Sequence, residues 1–356
     1  MKVWKMDTSI LREKDKLVLE LIVEGYLEQG KPVSSGFIAS RKKFSGSSAT
    51  IRNIMARLEN YGYLSQPHTS AGRVPTDKGL KFYVDDLLNE GLFLQERADI
   101  SAEALLRTGD FDSVLTQASK LLADYSDNLG FVLSPRLTRI HFHHLRFIKI
   151  AHNKVMVILV TPFQMVLTEI IETETPFSQI ELDHACQYIN QNFRGKNLVF
   201  VRDFLLQELP KYKLKYEDII NRLMVLLRTY VHQGEDENRI FLQGTSKLLN
   251  KADLFDMEKL KTLFQNFEEK ANLARLLSDF ISLDRVKVLI GSEVNFPDNS
   301  DCSLVLSHYG YENQVLGTLG IIGPKRIPYE RIIPLVDSIA KKLSRAITAG
   351  GKEGIL

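Results

Sequence analysis

Cysteine is nearly absent from this chain, with two in 356 residues, Cys186 and Cys302, far apart and without metal-ligand spacing. That scarcity excludes a disulfide scaffold and fits a reducing compartment. Apolar runs are short; stretches such as residues 155–160 fall far below the roughly 20 residues that span a bilayer. Charge of one sign is not in excess either, since 46 Lys and Arg stand against 44 Asp and Glu. Catalytic signatures are missing as well: there is no Walker A loop, no G-x-S-x-G elbow, no H-E-x-x-H and no cysteine pair. The first fifteen residues are too charged for a secretory signal. These absences predict a cytoplasmic protein that is not an enzyme, needs no cofactor and does not enter a membrane. The length predicts two or three domains, each able to bury its own core.

What the chain does have is concentrated in residues 47–76, SSATIRNIMARLENYGYLSQPHTSAGRVPT. Ser47 and Ser48 are hydroxyl residues suited to cap a helix N-terminus. Ile51, Ile54, Met55 and Leu58 follow at helical spacing and predict a core-facing stripe. The opposite face carries Ala49, Arg52, Asn53, Ala56 and Arg57, where small residues permit close approach and Arg and Asn can meet phosphates or base edges. Residues 63–75 then predict strand, tight turn, strand, with Gly72 in the turn and Arg73 at the tip. Thr76 caps a further helix striped with Leu80, Tyr83, Val84, Leu87 and Leu88.

The preceding sequence fits this order. Residues 15–26 read as an amphipathic helix with Leu17, Leu21, Ile22 and Tyr26 on one side, and residues 37–43 as a short helix after Pro32 and the hydroxyls Ser34 and Ser35. Helix, helix, turn, helix, wing is the order of a winged helix-turn-helix reader. Charge agrees locally, because residues 31–81 hold nine Lys or Arg against two acids, a net +7. Phosphate neutralisation dominates DNA affinity, so the local surface matters more than the total. The expected DNA contacts are Ser47, Ser48, Thr50, Arg52, Asn53 and Arg57 from the helix, and His68, Thr69, Ser70, Gly72 and Arg73 from the wing. Arg41, Lys42 and Lys43 are expected on phosphates.

The residues Ala49-Thr50-Ile51-Arg52-Asn53-x-Met55, Leu58-Glu59-x-x-Gly62-Tyr63-Leu64 and the run from Pro67 through Asp77 to Gly79 resemble the HrcA family of bacterial heat-inducible transcription repressors. Two further matches keep the family's order: Leu242-Gln243-Gly244-Thr245-Ser246-Lys247-Leu248-Leu249, and Gly317-Thr318-Leu319-Gly320-Ile321-Ile322-Gly323-Pro324-Lys325-Arg326-Ile327-Pro328-Tyr329. The chain departs at Ser34-Ser35-Gly36, where the family carries Gly-Ser-Arg. The resemblance implies a homodimeric repressor on an inverted-repeat operator of the CIRCE type upstream of chaperonin operons. It also implies that the chaperonin keeps the repressor active until heat diverts it to unfolded proteins. A regulator that senses a small molecule in its middle domain is the alternative.

Beyond the reader the pattern turns to α+β. Helical periodicity covers residues 111–122, 182–193 and 329–347, and strand-like runs cover 131–133, 140–150, 154–161, 165–171, 286–294, 302–309 and 314–322. The resulting expectation is a multidomain α+β protein. It has a winged helix-turn-helix over 1–90, a linker over 91–110, a split domain over 111–195 and 284–348, and a mainly helical insert over 196–283. The resemblance makes the split domain GAF-like and the insert a dimerisation domain. From the residues alone, the apolar stripes at 216–231 and 257–277 suit either a subunit interface or packing on the parent domain. His141, His143 and His144, with His152 near, suit a strand rim better than a metal site. Asp298 and Asp301 read as a solvated turn. Residues 323–326 stay open between a rigid strand-to-helix connection and an inter-domain or chaperonin contact.

Overall fold

A computed structural model describes residues 11–41, 43, 46–68, 71–89, 111–135, 140–161, 166–208, 240–251, 286–294, 301–311 and 314–353. The expected linker, the helical stripes at 216–231 and 257–277, Asp298, Lys42, Thr69 and Ser70 lie outside the described residues.

The first unit is α1 (Glu13–Gln29), α2 (Ser35–Ser40), α3 (Ser48–Asn60), the hairpin β1 (Leu64–Ser65) and β2 (Val74–Pro75), and α4 (Asp77–Asn89). Each helix starts or stops where local chemistry dictates. The α1 helix ends at Gly30, which takes φ +67° and donates its N–H to the Tyr26 carbonyl at 2.8 Å. That left-handed cap suits glycine. Ser34 and Ser47 accept from the N–H groups of Phe37 and Thr50 and so cap α2 and α3. Thr76 accepts from Gly79 N–H at 3.2 Å and caps α4. Val18, Leu19, Ile22, Ile38, Ile51, Leu58 and Val84 are fully buried between these elements. Each such side chain contributes about 1.5–3 kcal/mol by leaving water. A bridge between Val33 and Arg73 ties the segment before α2 to the hairpin.

The second unit is a five-stranded antiparallel sheet in the order β7-β3-β10-β9-β8. Its strands are β3 (Leu129–Leu133), β7 (Ile240–Gln243), β8 (Lys287–Ile290), β9 (Cys302–Tyr311) and β10 (Gln314–Pro324), and register places Leu319 opposite Val132 and Ser307. Two helices pack together over one face: α5 (Phe111–Ser126) on β3 and β7, and α9 (Tyr329–Glu353) chiefly on β9. The other face has its own cluster, where Phe131, Leu304, Leu306 and Ile322 meet Leu248 of the short helix α8 (Thr245–Leu249). All five residues of β3 are buried. Both sides of this strand therefore lie in core, which is why its sequence, LGFVL, shows no alternation.

The third unit is a separate antiparallel sheet of β4 (His144–Ala151), β5 (Lys154–Val160) and β6 (Val166–Glu172), followed by α6 (Gln179–Phe193) and α7 (Leu198–Glu208). Its strands alternate. Leu145, Phe147, Val155, Val157, Leu159 and Ile171 face inward onto α6, while Ile148, Met156, Ile158 and Ile170 face out. The free edge of β4 is closed by side chains of α6. Asn190 accepts from Leu145 N–H at 2.8 Å and donates to its carbonyl at 2.7 Å, Cys186 Sγ accepts from Phe147 N–H at 3.0 Å, and Gln179 accepts from Lys149 N–H at 2.9 Å. Covered in this way, the edge does not template another strand.

This partition differs from the expected domain boundaries. Strands 140–171 share no sheet with the strands at 129–133 and 286–324. The chain leaves the larger sheet after β3 and returns at β7, so the excursion from it begins near residue 134, not 196. Periodicity identifies strands but not their partners. Sequence does not carry that distinction, since β5, KVMVILV, is as continuously apolar as β3.

Candidate nucleic-acid interface

The α3 helix presents the face its sequence anticipates. Ile51, Ile54, Met55 and Leu58 are buried, and Ala49, Thr50, Arg52, Asn53 and Ala56 are exposed. At its N-terminus Ser47 Oγ accepts from Thr50 N–H at 3.1 Å and lies 3.0 Å from the Thr50 hydroxyl, while Ser48 lies 3.1 Å from Ser35 of α2. Arg52 donates to Ser35 Oγ at 3.3 Å, and among the described residues no carboxylate pairs with it. Ser35 therefore orients the one guanidinium on this face that is not committed to an acid. Sequence reading did not single out Ser35 as functional, although it lies in the stretch where the chain departs from the family pattern.

The other cations are placed differently. Arg57 turns away from the exposed face to Asp15 of α1 at 2.5 Å, and the Asp15 side chain is only 3% exposed. Arg57 Nε is itself buried without a partner. Arg41 pairs with Glu28 at 2.5 Å and stacks 4.8 Å over Phe37. Lys43 pairs with Glu24 at 3.2 Å, and that hydrogen bond raises its pKa. Acids of α1, outside the window of nine bases, thus offset part of its +7. The Arg41 and Lys43 pairs are solvent-exposed and worth about 0–1 kcal/mol, so both side chains can exchange a carboxylate for a phosphate.

In the hairpin, Arg73 is not at the tip. It is the residue bridged to Val33, and its guanidinium pairs with Glu59 of α3 at 2.9 Å. The turn closes earlier, where Ala71 N–H reaches the His68 carbonyl at 2.8 Å, and His68 is exposed. Gly72 is required by proximity, because a Cβ there would sit 2.3 Å from the Val33 carbonyl oxygen. Lys78, not anticipated, lies 4.1 Å above the Tyr63 ring and donates to the Tyr61 carbonyl at 2.8 Å. Among the described residues no cluster of His, Cys, Asp or Glu could hold a metal, and no helix is long and apolar enough to cross a membrane. His143 instead contacts the Arg194 guanidinium.

A small helical unit that exposes a serine-capped helix beside a hairpin, mounted on an α+β body, is the build of a transcription regulator. Comparison with known proteins agrees. A family model described as HrcA protein C terminal domain matches residues 112–333. The Heat-inducible transcription repressor HrcA of Geobacter sulfurreducens is 36% identical over 338 residues, covering 95% of this chain and 98% of its own. That of Syntrophobacter fumaroxidans is 33% identical over 347 residues, covering 97% and 100%. A crystal structure of a hypothetical protein at 2.2 Å resolution, 24% identical, covers 96% of this chain and 99% of its own with a TM-score of 0.60, and shares the fold. The chain belongs to the HrcA family of heat-inducible transcription repressors.

Proposed function

We propose that this chain is a dimeric winged helix-turn-helix repressor that binds an inverted repeat upstream of chaperonin genes. In this reading α2 and α3 are the helix-turn-helix, and β1 with β2 is the wing. The observation that supports it most is the face of α3, where Ala49, Thr50, Arg52, Asn53 and Ala56 are exposed together while the opposite face is wholly in core. A 13-residue helix of that kind fits a major groove, with Ser47, Ser48 and Thr50 near the backbone and Arg52 and Asn53 toward base edges. Arg41, Lys42, Lys43, His68, Thr69 and Ser70 would add contacts at its flanks. Arg57, Gly72 and Arg73 hold the reader together from behind.

The domain boundaries are redrawn to suit. Residues 11–89 form the reader. The five-stranded sheet with α5, α8 and α9 forms the GAF-like body, and the β4–β6 sheet with α6 and α7 belongs to the inserted dimerisation unit. The outward face of β4–β6 supports that last role, with Ile148, Met156 and Ile170 in one cross-strand row, Ile158 beside it, and Val166 and Ile170 60% and 56% exposed. Two copies joined across a two-fold axis would place two readers on an inverted repeat. The family resemblance adds a cytoplasmic chaperonin that maintains the active form and withdraws on heating.

Fluorescence anisotropy tests the reading, on a duplex spanning the inverted repeat of the chaperonin promoter and on a scrambled duplex, at fixed salt, with and without chaperonin. Tighter binding to the repeat, raised further by chaperonin, is expected. Equal binding to both duplexes under every condition would sink it.

A further inference from the structure

The signature at residues 323–329 touches the reader. Lys325 Nζ pairs with Asp77 Oδ1 at 2.5 Å, and the other oxygen of Asp77 accepts from Ser292 N–H at 3.3 Å. Arg326 Nε donates to the Leu27 carbonyl at 3.2 Å. Leu27 is in the last turn of α1, which has no basic residue of its own there. Arg326 thus supplies the cation that the negative end of that helix favours, from 299 positions away. Asp77 opens α4, where a carboxylate is equally suited to the positive end. A third attachment is Tyr83 of α4, whose hydroxyl donates to Glu330 at 2.6 Å, and a fourth is Lys81, which donates to the Val288 carbonyl at 2.9 Å. Gly30 confirms how closely the parts meet, because a Cβ there would fall 1.9 Å from Arg326 Nη1.

These contacts fall at the base of the reader. Leu27 lies just before the segment that joins α1 to α2, and Val33 on that segment is bridged to Arg73 of the hairpin. Asp77 comes two residues after Pro75, where the chain leaves the hairpin. The body therefore grips the reader on the last turn of α1 and on α4, the two helices that bracket α2, α3 and the hairpin in the chain, and none of these contacts is made by α3.

We propose that Lys325 and Arg326, with Asp77, are positioning residues for DNA recognition: they fix the angle of the reader on the body, and so the half-site spacing that a dimer accepts. The inference rests on the dimeric inverted-repeat reading above. A reader held at one angle meets its half-site on one face of the duplex, and a change of about five base pairs rotates that half-site to the opposite face. A reader on a loose tether follows it.

The test is anisotropy on duplexes that carry the same two half-sites with their separation varied in single base-pair steps, plus a duplex with one half-site. The parent protein should lose about tenfold or more in affinity when the spacing moves by half a turn. Lys325→Asp should flatten that profile to within about threefold while affinity for the single half-site stays within about twofold. Adding Asp77→Lys to Lys325→Asp should restore the parent profile by reversing the pair. Tyr83→Phe, which keeps the buried ring and removes the Glu330 bond, should flatten the profile in part and decides the matter if the Lys325 variant does not fold by circular dichroism. Variants that keep the parent's spacing profile overturn the inference, and so does an equal loss on every duplex including the half-site. A parent that binds the repeat and a scrambled duplex alike overturns the dimeric reading beneath it, and this inference with it.

Discussion

Arg52 and Arg57 share one helix, but only Arg57 has a buried carboxylate against it, Asp15 at 2.5 Å. Removing Arg57 leaves that charge in the core without its partner. Arg57→Ala is expected to cost roughly 2–3 kcal/mol of stability, read from urea unfolding. Arg52→Ala should leave the unfolding midpoint in place and cost about 1–3 kcal/mol in operator binding if the side chain reads a base. An equal loss on random DNA would reduce Arg52 to a phosphate contact. Both thiols are buried, and burial pushes the Cys186 thiol up to about 11. At pH 8 the native protein should leave a thiol-disulfide reagent such as DTNB unreacted, with both groups appearing in denaturant. At this scale the sequence told which side of α3 faces out, since period and cap are local. It did not tell that Arg41, Lys43 and Arg57 meet acids of α1, because those partners lie 13, 19 and 42 positions away and no local pattern encodes them.

At the scale of elements, the edge of β4 depends on side chains where a fourth strand would otherwise supply hydrogen bonds. Asn190→Ala removes two of them at once and exposes the Leu145 amide and carbonyl. A loss of about 2 kcal/mol in unfolding free energy is expected, together with faster amide exchange at Leu145. The opposite, outward face of this sheet makes a separate prediction. Ile170→Lys places a charge among exposed apolar residues and should not lower the melting temperature of the fold, yet it should shift sedimentation toward the monomer. Dimer retained at the parent's affinity would exclude this face as the interface. Strand positions here were legible because β4 alternates, β5 is rich in Val and Ile, and turn residues such as His152 and Asn153 punctuate them. Their separation from the larger sheet was not, because pairing is decided by which surfaces need covering.

Over the whole molecule, a few polar contacts join segments far apart in the chain. Asp77 meets Lys325 across 248 positions, Tyr83 meets Glu330 across 247, and Lys81 meets Val288 across 207. The resemblance marked residues 317–329 as a signature and left the role of 323–326 open, and only the folded chain shows what Lys325 and Arg326 meet. Separately, the interior strand β3 is paired on one side with residues 240–243 and on the other with residues 319–322.

That last pairing has a temporal side. A ribosome adding about 5–20 residues per second would need on the order of 10–40 s to pass from β3 to its partner β10. Until residues 240–243 emerge, roughly midway through that interval, β3 has no strand to pair with, and its second edge waits for β10. A newborn chain therefore carries one open edge of an apolar strand, a surface that other chains can pair with, until β10 has been made.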